Sequence, residues 1–124
     1  MLRTIIIDDE ENGRFVLLQL LKKFNKNIDV VGTAHSAAQG RELRQSVKPD
    51  LVFLDIEMPI ESGFDVLEKI GAKDFEVIFL SVHAHHALKA IRFSPAAFLM
   101  KPIDINELTA AIEHVAKKTE RSEV

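Results

Sequence analysis

The chain has 124 residues, enough for one domain with a real hydrophobic core. Its 47% hydrophobic and 28% charged residues exclude a disordered or membrane class, and a net charge of −3 gives no reason to expect nucleic-acid binding by this segment. There are no cysteines, so disulfides, thiol chemistry and cysteine-based zinc sites are excluded, a usage that fits a reducing cytoplasm.

The first run, Met1 to Ile7, leads straight into acidic residues and lacks the apolar length of a signal peptide. No other stretch approaches the ~20 apolar residues that a membrane span needs. Thr4–Ile7 reads as a first strand. Leu17, Leu20, Leu21 and Phe24 then follow i, i+3, i+4, i+7 spacing, which predicts a helix. Asp29–Gly32 is the second strand, and the capping-box pair Ser36 and Gln39 opens the second helix. Leu51–Leu54 is a wholly apolar third strand, followed by a helix that Ser62 and Asp65 cap in the same way. Val77–Leu80 is the fourth strand; the short segment from about His85 to Phe93 is a fourth helix whose start only histidines mark. Ala97–Met100 is the fifth strand. Asp104 is an N-cap for the last helix, with Glu107 in its first turn and Ile105, Leu108, Ile112 and Val115 as its buried stripe. From about residue 117 the chain turns polar, as a solvated helix end or the start of a linker.

Five βα units without an internal repeat predict an α/β fold with a doubly wound parallel sheet. The almost continuously apolar strands agree, because helices cover both faces of such a sheet. Its ligand crevice lies beyond the carboxyl ends of the strands. There the chain offers Asp8, Asp9 and Glu10 after strand one, Asp55 closing strand three, Ser81 closing strand four and Lys101-Pro102 after strand five.

Asp8 and Asp9 can serve one site only if the chain leaves the strand at that point, since neighbouring strand residues face opposite ways. Two carboxylates ~4 Å apart repel by ~4 kcal/mol at an effective dielectric of 20, so three converging acids call for a cation. Only oxygen ligands are on offer, which favours Mg²⁺. An acidic pair after a strand also serves simply to open a helix, where negative charge suits the N-terminal dipole. Asp55 tips the balance toward a site, for it closes an apolar strand with no evident capping role. A lone lysine after a strand is ordinarily a solvated surface residue, and a serine there a turn or cap. Taken with the acids, Lys101 and Ser81 complete a set suited to phosphoryl transfer, with Asp55 as a carboxylate nucleophile that forms an acyl phosphate.

These residues resemble the response-regulator receiver domains of two-component signalling, over nearly the whole chain from Thr4 to about Val115. Ile5-Ile6-Ile7-Asp8-Asp9-Glu10 is similar to the family's acidic opening. Leu51 to Pro59, followed by Gly63, is similar to its phosphorylation segment, and Phe98-Leu99-Met100-Lys101-Pro102 to its ending, with Ser81 at the hydroxyl position. The resemblance implies a flavodoxin-like strand order 2-1-3-4-5 with five helices on both faces, and a single domain spanning residues 1–124. It implies that Asp55 accepts the phosphoryl group from a histidine kinase or phosphotransfer protein. Asp9, Asp55 and the Glu57 backbone carbonyl would bind Mg²⁺ directly, and Asp8 mainly through water. Lys101 would contact the phosphoryl group, and the Lys101–Pro102 bond would be cis. Ser81 and Phe98 would act as the switch, Ser81 moving toward the phosphoryl group and Phe98 turning inward, so that the surface of helix 4, strand 5 and helix 5 changes state. That surface is also where a homodimer is expected, and the family is cytoplasmic and does not turn over a substrate.

The chain departs from the family's usual pattern in places. Val82 stands where alanine is common, and Phe98 lacks the hydroxyl of the commoner tyrosine; a plain core aromatic is the alternative reading of Phe98. Glu57 and His83 lie two residues beyond Asp55 and Ser81, where similar proteins tune the life of the phosphoryl group; the sequence leaves open whether a carboxylate at 57 repels or orients the attacking water. His83, His85 and His86 suit neither an i, i+4 pair nor a closed set of four metal ligands, and are expected at the exposed start of helix 4. His86-Ala87-Leu88-Lys89-Ala90 and Phe98 to Ile103 resemble the LytTR branch, whose members append a DNA-binding domain. A fragment of a longer regulator is therefore expected, with a stand-alone receiver as the alternative. Two other functions compete: a Mg²⁺-dependent phosphatase, faintly suggested by Asp55-x-Glu57, and a receiver-like scaffold that accepts no phosphate. The phosphatase motif belongs on a first strand rather than a third, and the full acid, serine and lysine set speaks against the scaffold.

Overall fold

Five runs of β-branched and apolar residues become strands, and the amphipathic stretches between them become helices that return the chain over the sheet. The structure, a computed structural model, describes residues 1–25 and 27–122. In chain order the elements are β1 (Leu2–Ile7), α1 (Glu11–Phe24), β2 (Ile28–Ala34), α2 (Ala37–Val47), β3 (Leu51–Asp55), α3 (Gly63–Ile70), β4 (Glu76–Ser81), α4 (Ala87–Ala90), β5 (Ala97–Met100) and α5 (Ile105–Ser122). All strand pairs are parallel, in the order β2-β1-β3-β4-β5. This is the expected doubly wound sheet.

Side-chain alternation divides the interior into two cores. Ile6, Phe53, Ile78, Leu80 and Leu99 meet Leu17 and Leu21 of α1 and Leu108, Ile112 and Val115 of α5 on one face. Ile5, Ile7, Val52, Leu54, Val77 and Phe79 meet Ala37 of α2, Phe64, Val66 and Leu67 of α3 and Ala90 of α4 on the other. Covering both faces is what makes the central strands apolar throughout.

Several local details differ from the sequence reading. Phe24, the last residue of α1, stays exposed with the Lys23 ammonium 5.3 Å from its ring centre. The inward stripe of α1 ends at Leu21, whose carbonyl accepts from Asn25 as the chain leaves the helix. Ser36 caps α2 as expected, accepting from the Gln39 amide at 3.1 Å, but the Gln39 side chain accepts from His35 rather than from Ser36. The Ser62–Asp65 box is reciprocal, at 2.8 and 3.2 Å. Asp104 caps α5 through Asn106 and Glu107. The segment from Ala84 to Phe93 is a single α turn between two 3₁₀ turns, Ala84–His86 and Ile91–Phe93, and no side chain caps it. The polar stretch from Lys117 continues α5 to Ser122; Glu123 lies outside the described residues.

Candidate functional site

The carboxyl ends of β1, β3, β4 and β5 meet at one edge of the sheet. Residue pairing fixes their order: Ile7 lies beside Leu54, Asp55 beside Leu80, and Ser81 beside Met100. The Lys101 amide donates to the Ser81 carbonyl at 2.8 Å, tying the ends of β4 and β5 together. Asp8 and Asp9 lie just past the end of β1, where the chain has left the strand and both can face the same space.

Two glycines let helices come this close. At Gly13 of α1 an added Cβ would lie 2.6 Å from a carboxylate oxygen of Asp8. At Gly63, the first residue of α3, it would lie 2.6 Å from the carbonyl oxygen of Asp55 and 3.1 Å from the Cα of Ile56. The Gly63 amide also donates to the Ile56 carbonyl at 3.0 Å, so α3 is fastened directly behind β3.

Asp8, Asp9 and Asp55 each bring a carboxylate oxygen to within 4.8 Å of the others, and among the described residues no other histidine or acidic group of three does so. Asp8 and Asp55 are buried. Asp8 accepts from the Glu10 amide and from the Lys101 ammonium, both at 2.9 Å, and the Arg14 guanidinium donates to its backbone carbonyl at 2.7 Å. Lys101 is 3.6 Å from Asp55. Burial, with Asp8 and Glu57 nearby, pushes the Asp55 carboxyl up from its ordinary 3.8 to about 8, although Lys101 pulls the other way. Burial opposes the charge of Lys101, but its hydrogen bond to Asp8 and the neighbouring carboxylates outweigh that and hold its pKa above the ordinary value.

One oxygen of Asp9, Oδ1, is buried with no hydrogen-bond partner. A buried carboxylate oxygen left without a donor is unfavourable unless something positive meets it. This orphaned oxygen, in an all-oxygen set of three acids, fits a hard divalent cation such as Mg²⁺.

The remaining predicted residues are arranged around this cluster. Ser81 is buried, and its hydroxyl is turned away from Asp55 to the Glu57 carboxylate (2.6 Å), with the His83 carbonyl at 3.0 Å. The Glu57 side chain thus runs toward β4, not toward the three acids. Phe98 is half-buried against the core that β4 shares with α3. The Lys101–Pro102 bond is cis. His83, His85 and His86 lie in and before the first 3₁₀ turn, with ring centres 4.3 to 6.0 Å apart, but their nitrogens do not converge with a third ligand. Leu88 and Ile91 are exposed, so the surface around α4 is not wholly core.

Sequence reasoning missed the Gly13 contact with Asp8 and the reach of Glu57 to Ser81. A glycine early in an otherwise regular helix was the available signal for the first. The second had none, since it depends on which way one loop side chain turns.

The family model of the response regulator receiver domain matches residues 4–113. The chain belongs to that family. This receiver domain is 33% identical over 124 residues to a response regulatory protein of Vibrio cholerae, covering 99% of this chain and 52% of that protein. It is 33% identical over 119 residues to the sensory transduction protein LytT of Enterococcus faecalis, covering 94% of this chain and 49% of that one, which supports the LytTR branch. The receiver domain spans about half the length of the curated relatives it matches. Its fold superposes on the receiver domain of AraT, a response regulator from Geobacillus stearothermophilus, with a TM-score of 0.89 at 25% identity over 99% of this chain and 98% of that one. No helix among the described residues is long and apolar enough to cross a membrane.

Proposed function

We propose that this receiver domain accepts a phosphoryl group on Asp55 from a phosphohistidine donor, a histidine kinase or phosphotransfer protein, in a Mg²⁺-dependent reaction. The observation that carries this reading is the convergence of three carboxylates, one of which has a buried oxygen without a partner, with Lys101 3.6 Å from Asp55. Asp8, Asp9, Asp55 and the Glu57 backbone carbonyl would hold the ion. Bound there, Mg²⁺ supplies positive charge to the phosphoryl oxygens and keeps Asp55 ionised.

An Asp55 carboxylate oxygen attacks phosphorus, the bond from phosphorus to the donor imidazole nitrogen breaks, and the ring, protonated beforehand on its other nitrogen, takes the electron pair and leaves as neutral imidazole. Lys101 neutralises one phosphoryl oxygen, and the Ser81 hydroxyl donates to another once it has turned from Glu57. Gly63 and α3 keep the acceptor's backbone from moving. The domain then behaves as a switch and not a turnover enzyme, with Ser81 and Phe98 carrying the change to the surface of α4, β5 and α5. Residues 1–124 act as one such module, an output (DNA binding in the LytTR manner) lies in a longer cytoplasmic protein, and exposed Leu88 and Ile91 suit pairing of two copies on that surface.

Intact mass after incubation with acetyl phosphate, with and without Mg²⁺, tests the acceptor. A Mg²⁺-dependent gain of one phosphoryl group that Asp55→Asn abolishes is expected. No gain under any condition would leave a scaffold that works by contact alone.

A further inference from the structure

The Glu57 carboxylate bridges β3 and β4 beyond the strand ends. Its Oε2 accepts from the Ser81 hydroxyl at 2.6 Å and its Oε1 from the Val82 backbone amide at 2.7 Å. The His86 imidazole Nε2 stands 3.3 Å from Oε2. One anion therefore takes two donors from consecutive residues in a fork, the arrangement that makes charged hydrogen bonds short and strong. The Ser81 hydroxyl is fully engaged, since it also accepts from the His83 amide at 2.9 Å.

These donors flank the acceptor. Asp55 pairs with Leu80 across β3 and β4, and the Ile56 amide donates to the Leu80 carbonyl at 2.9 Å, so Ser81 and Val82 are the next residues along the neighbouring strand. Glu57 is close enough to raise the Asp55 pKa by its charge. A phosphoryl group on Asp55 brings oxygens that need partners besides the cation and Lys101, and the Ser81 hydroxyl and Val82 amide are the pair of donors at hand at the end of β4. They cannot serve two anions together, and a carboxylate and a phosphoryl dianion repel.

From this geometry we infer that Glu57 is a positioning residue that stands in for the phosphoryl group in the unmodified protein. It holds Ser81 and Val82 in a resting arrangement that the phosphoryl group must break. The inference rests on the acceptor reading and deepens it. Activation becomes the exchange of one anion for another on a shared pair of donors. Expelling Glu57 also removes the carboxylate beside His86, whose ring packs edge-on against Phe64 at 5.8 Å, so the exchange reaches the start of α4 directly.

The test is a titration of the Mg²⁺-saturated chain with beryllofluoride, a non-covalent phosphoryl mimic, followed by amide NMR at Val82 and His83. Two variants separate the clamp from simple charge. Glu57→Ala removes both; Glu57→Asp keeps the negative charge but is one methylene too short to span Ser81 and Val82. Both variants are expected to bind beryllofluoride roughly tenfold more tightly than wild type, since a charged hydrogen-bond pair no longer competes. Tighter binding by Glu57→Ala with wild-type affinity in Glu57→Asp would reduce the effect to repulsion and overturn the inference, as would unchanged or weaker binding in both. If Glu57→Ala does not fold, Glu57→Asp carries the decision alone. No binding by wild type would overturn the acceptor reading itself, and this inference with it.

Discussion

Lys101 places its ammonium 2.9 Å from Asp8 but 3.6 Å from Asp55. The lysine thus compensates Asp8 more closely than Asp55. Asp55 is left to avoid its charge by holding a proton, which is the meaning of a pKa near 8 at a buried carboxyl.

That raised pKa has a definite sign. The unfolded chain releases the Asp55 proton near 3.8 and the folded one near 8, so between these values the folded state binds more protons and loses stability as pH rises. Below that window the term is fully favourable. Without metal, urea midpoints are expected to fall as pH climbs toward 8, and Asp55→Asn to remove that slope. Near the top of the window it should exceed wild type by a few kcal/mol, on the order that linkage allows for a buried carboxyl. Added Mg²⁺ should narrow the difference by stabilising wild type. A midpoint in metal-free wild type that is flat over this range would contradict the account.

Replacing Lys101 by methionine keeps its length and removes its charge. Phosphorylation by acetyl phosphate, read by intact mass, is expected to slow by roughly 10²- to 10³-fold, as when one preorganised donor to a developing charge is lost. Buried Asp8 would also lose its ion-pair partner, so stability should drop by about 3 kcal/mol without metal. A rate within twofold of wild type would remove Lys101 from the reaction.

Gly63→Ala probes how the acceptor is held. The new methyl would meet backbone of Asp55 and Ile56, which cannot move as a side-chain tip can. A loss of about 2 kcal/mol in urea unfolding is expected, in the range for overpacking a filled interior. Phosphorylation should also slow, because Asp55 is displaced. A neutral effect on both measurements would show that α3 yields easily.

Glu61 joins two helices. It sits 2.7 Å from Arg41 of α2 and 3.0 Å from Lys69 of α3, and hydrogen bonds from Arg41 and then Lys69 hold its pKa below the ordinary 4.5. A lowered folded pKa means stabilisation that is present above about 4.5 and disappears as pH falls through the folded value. Wild type is therefore expected to outlast Glu61→Gln in urea at neutral pH and to converge with it in acid. High salt should shrink the difference as well, because the pair is near the surface.

Much of this arrangement is legible in the sequence. Leu51-Val52-Phe53-Leu54 reads as a strand covered on both sides, and its residues do divide between the two cores, Phe53 to one and Leu54 to the other. Once the sheet is doubly wound, strand ends become the place to look, and Asp8, Asp9, Asp55, Ser81 and Lys101 all lie there. The direction of side chains in loops was not legible. Glu57 is set by the turn that Ile56 and Gly63 close, and no periodicity governs such a turn. Helix quality was also hidden: the apolar spacing around Leu88 and Ile91 is compatible with an α-helix, but without a capping side chain the backbone settles into 3₁₀ turns at both ends.

That uncapped segment has a mechanical consequence. A stretch with one α turn carries few cooperative backbone bonds, so it can be redrawn while α1, α5 and the sheet keep their shape. The segment includes His86 and displays Leu88 and Ile91 to solvent. If the Glu57 carboxylate lets go of Ser81 and Val82, as inferred above, the apolar patch lies on the segment with the fewest α-helical bonds to resist a change of shape.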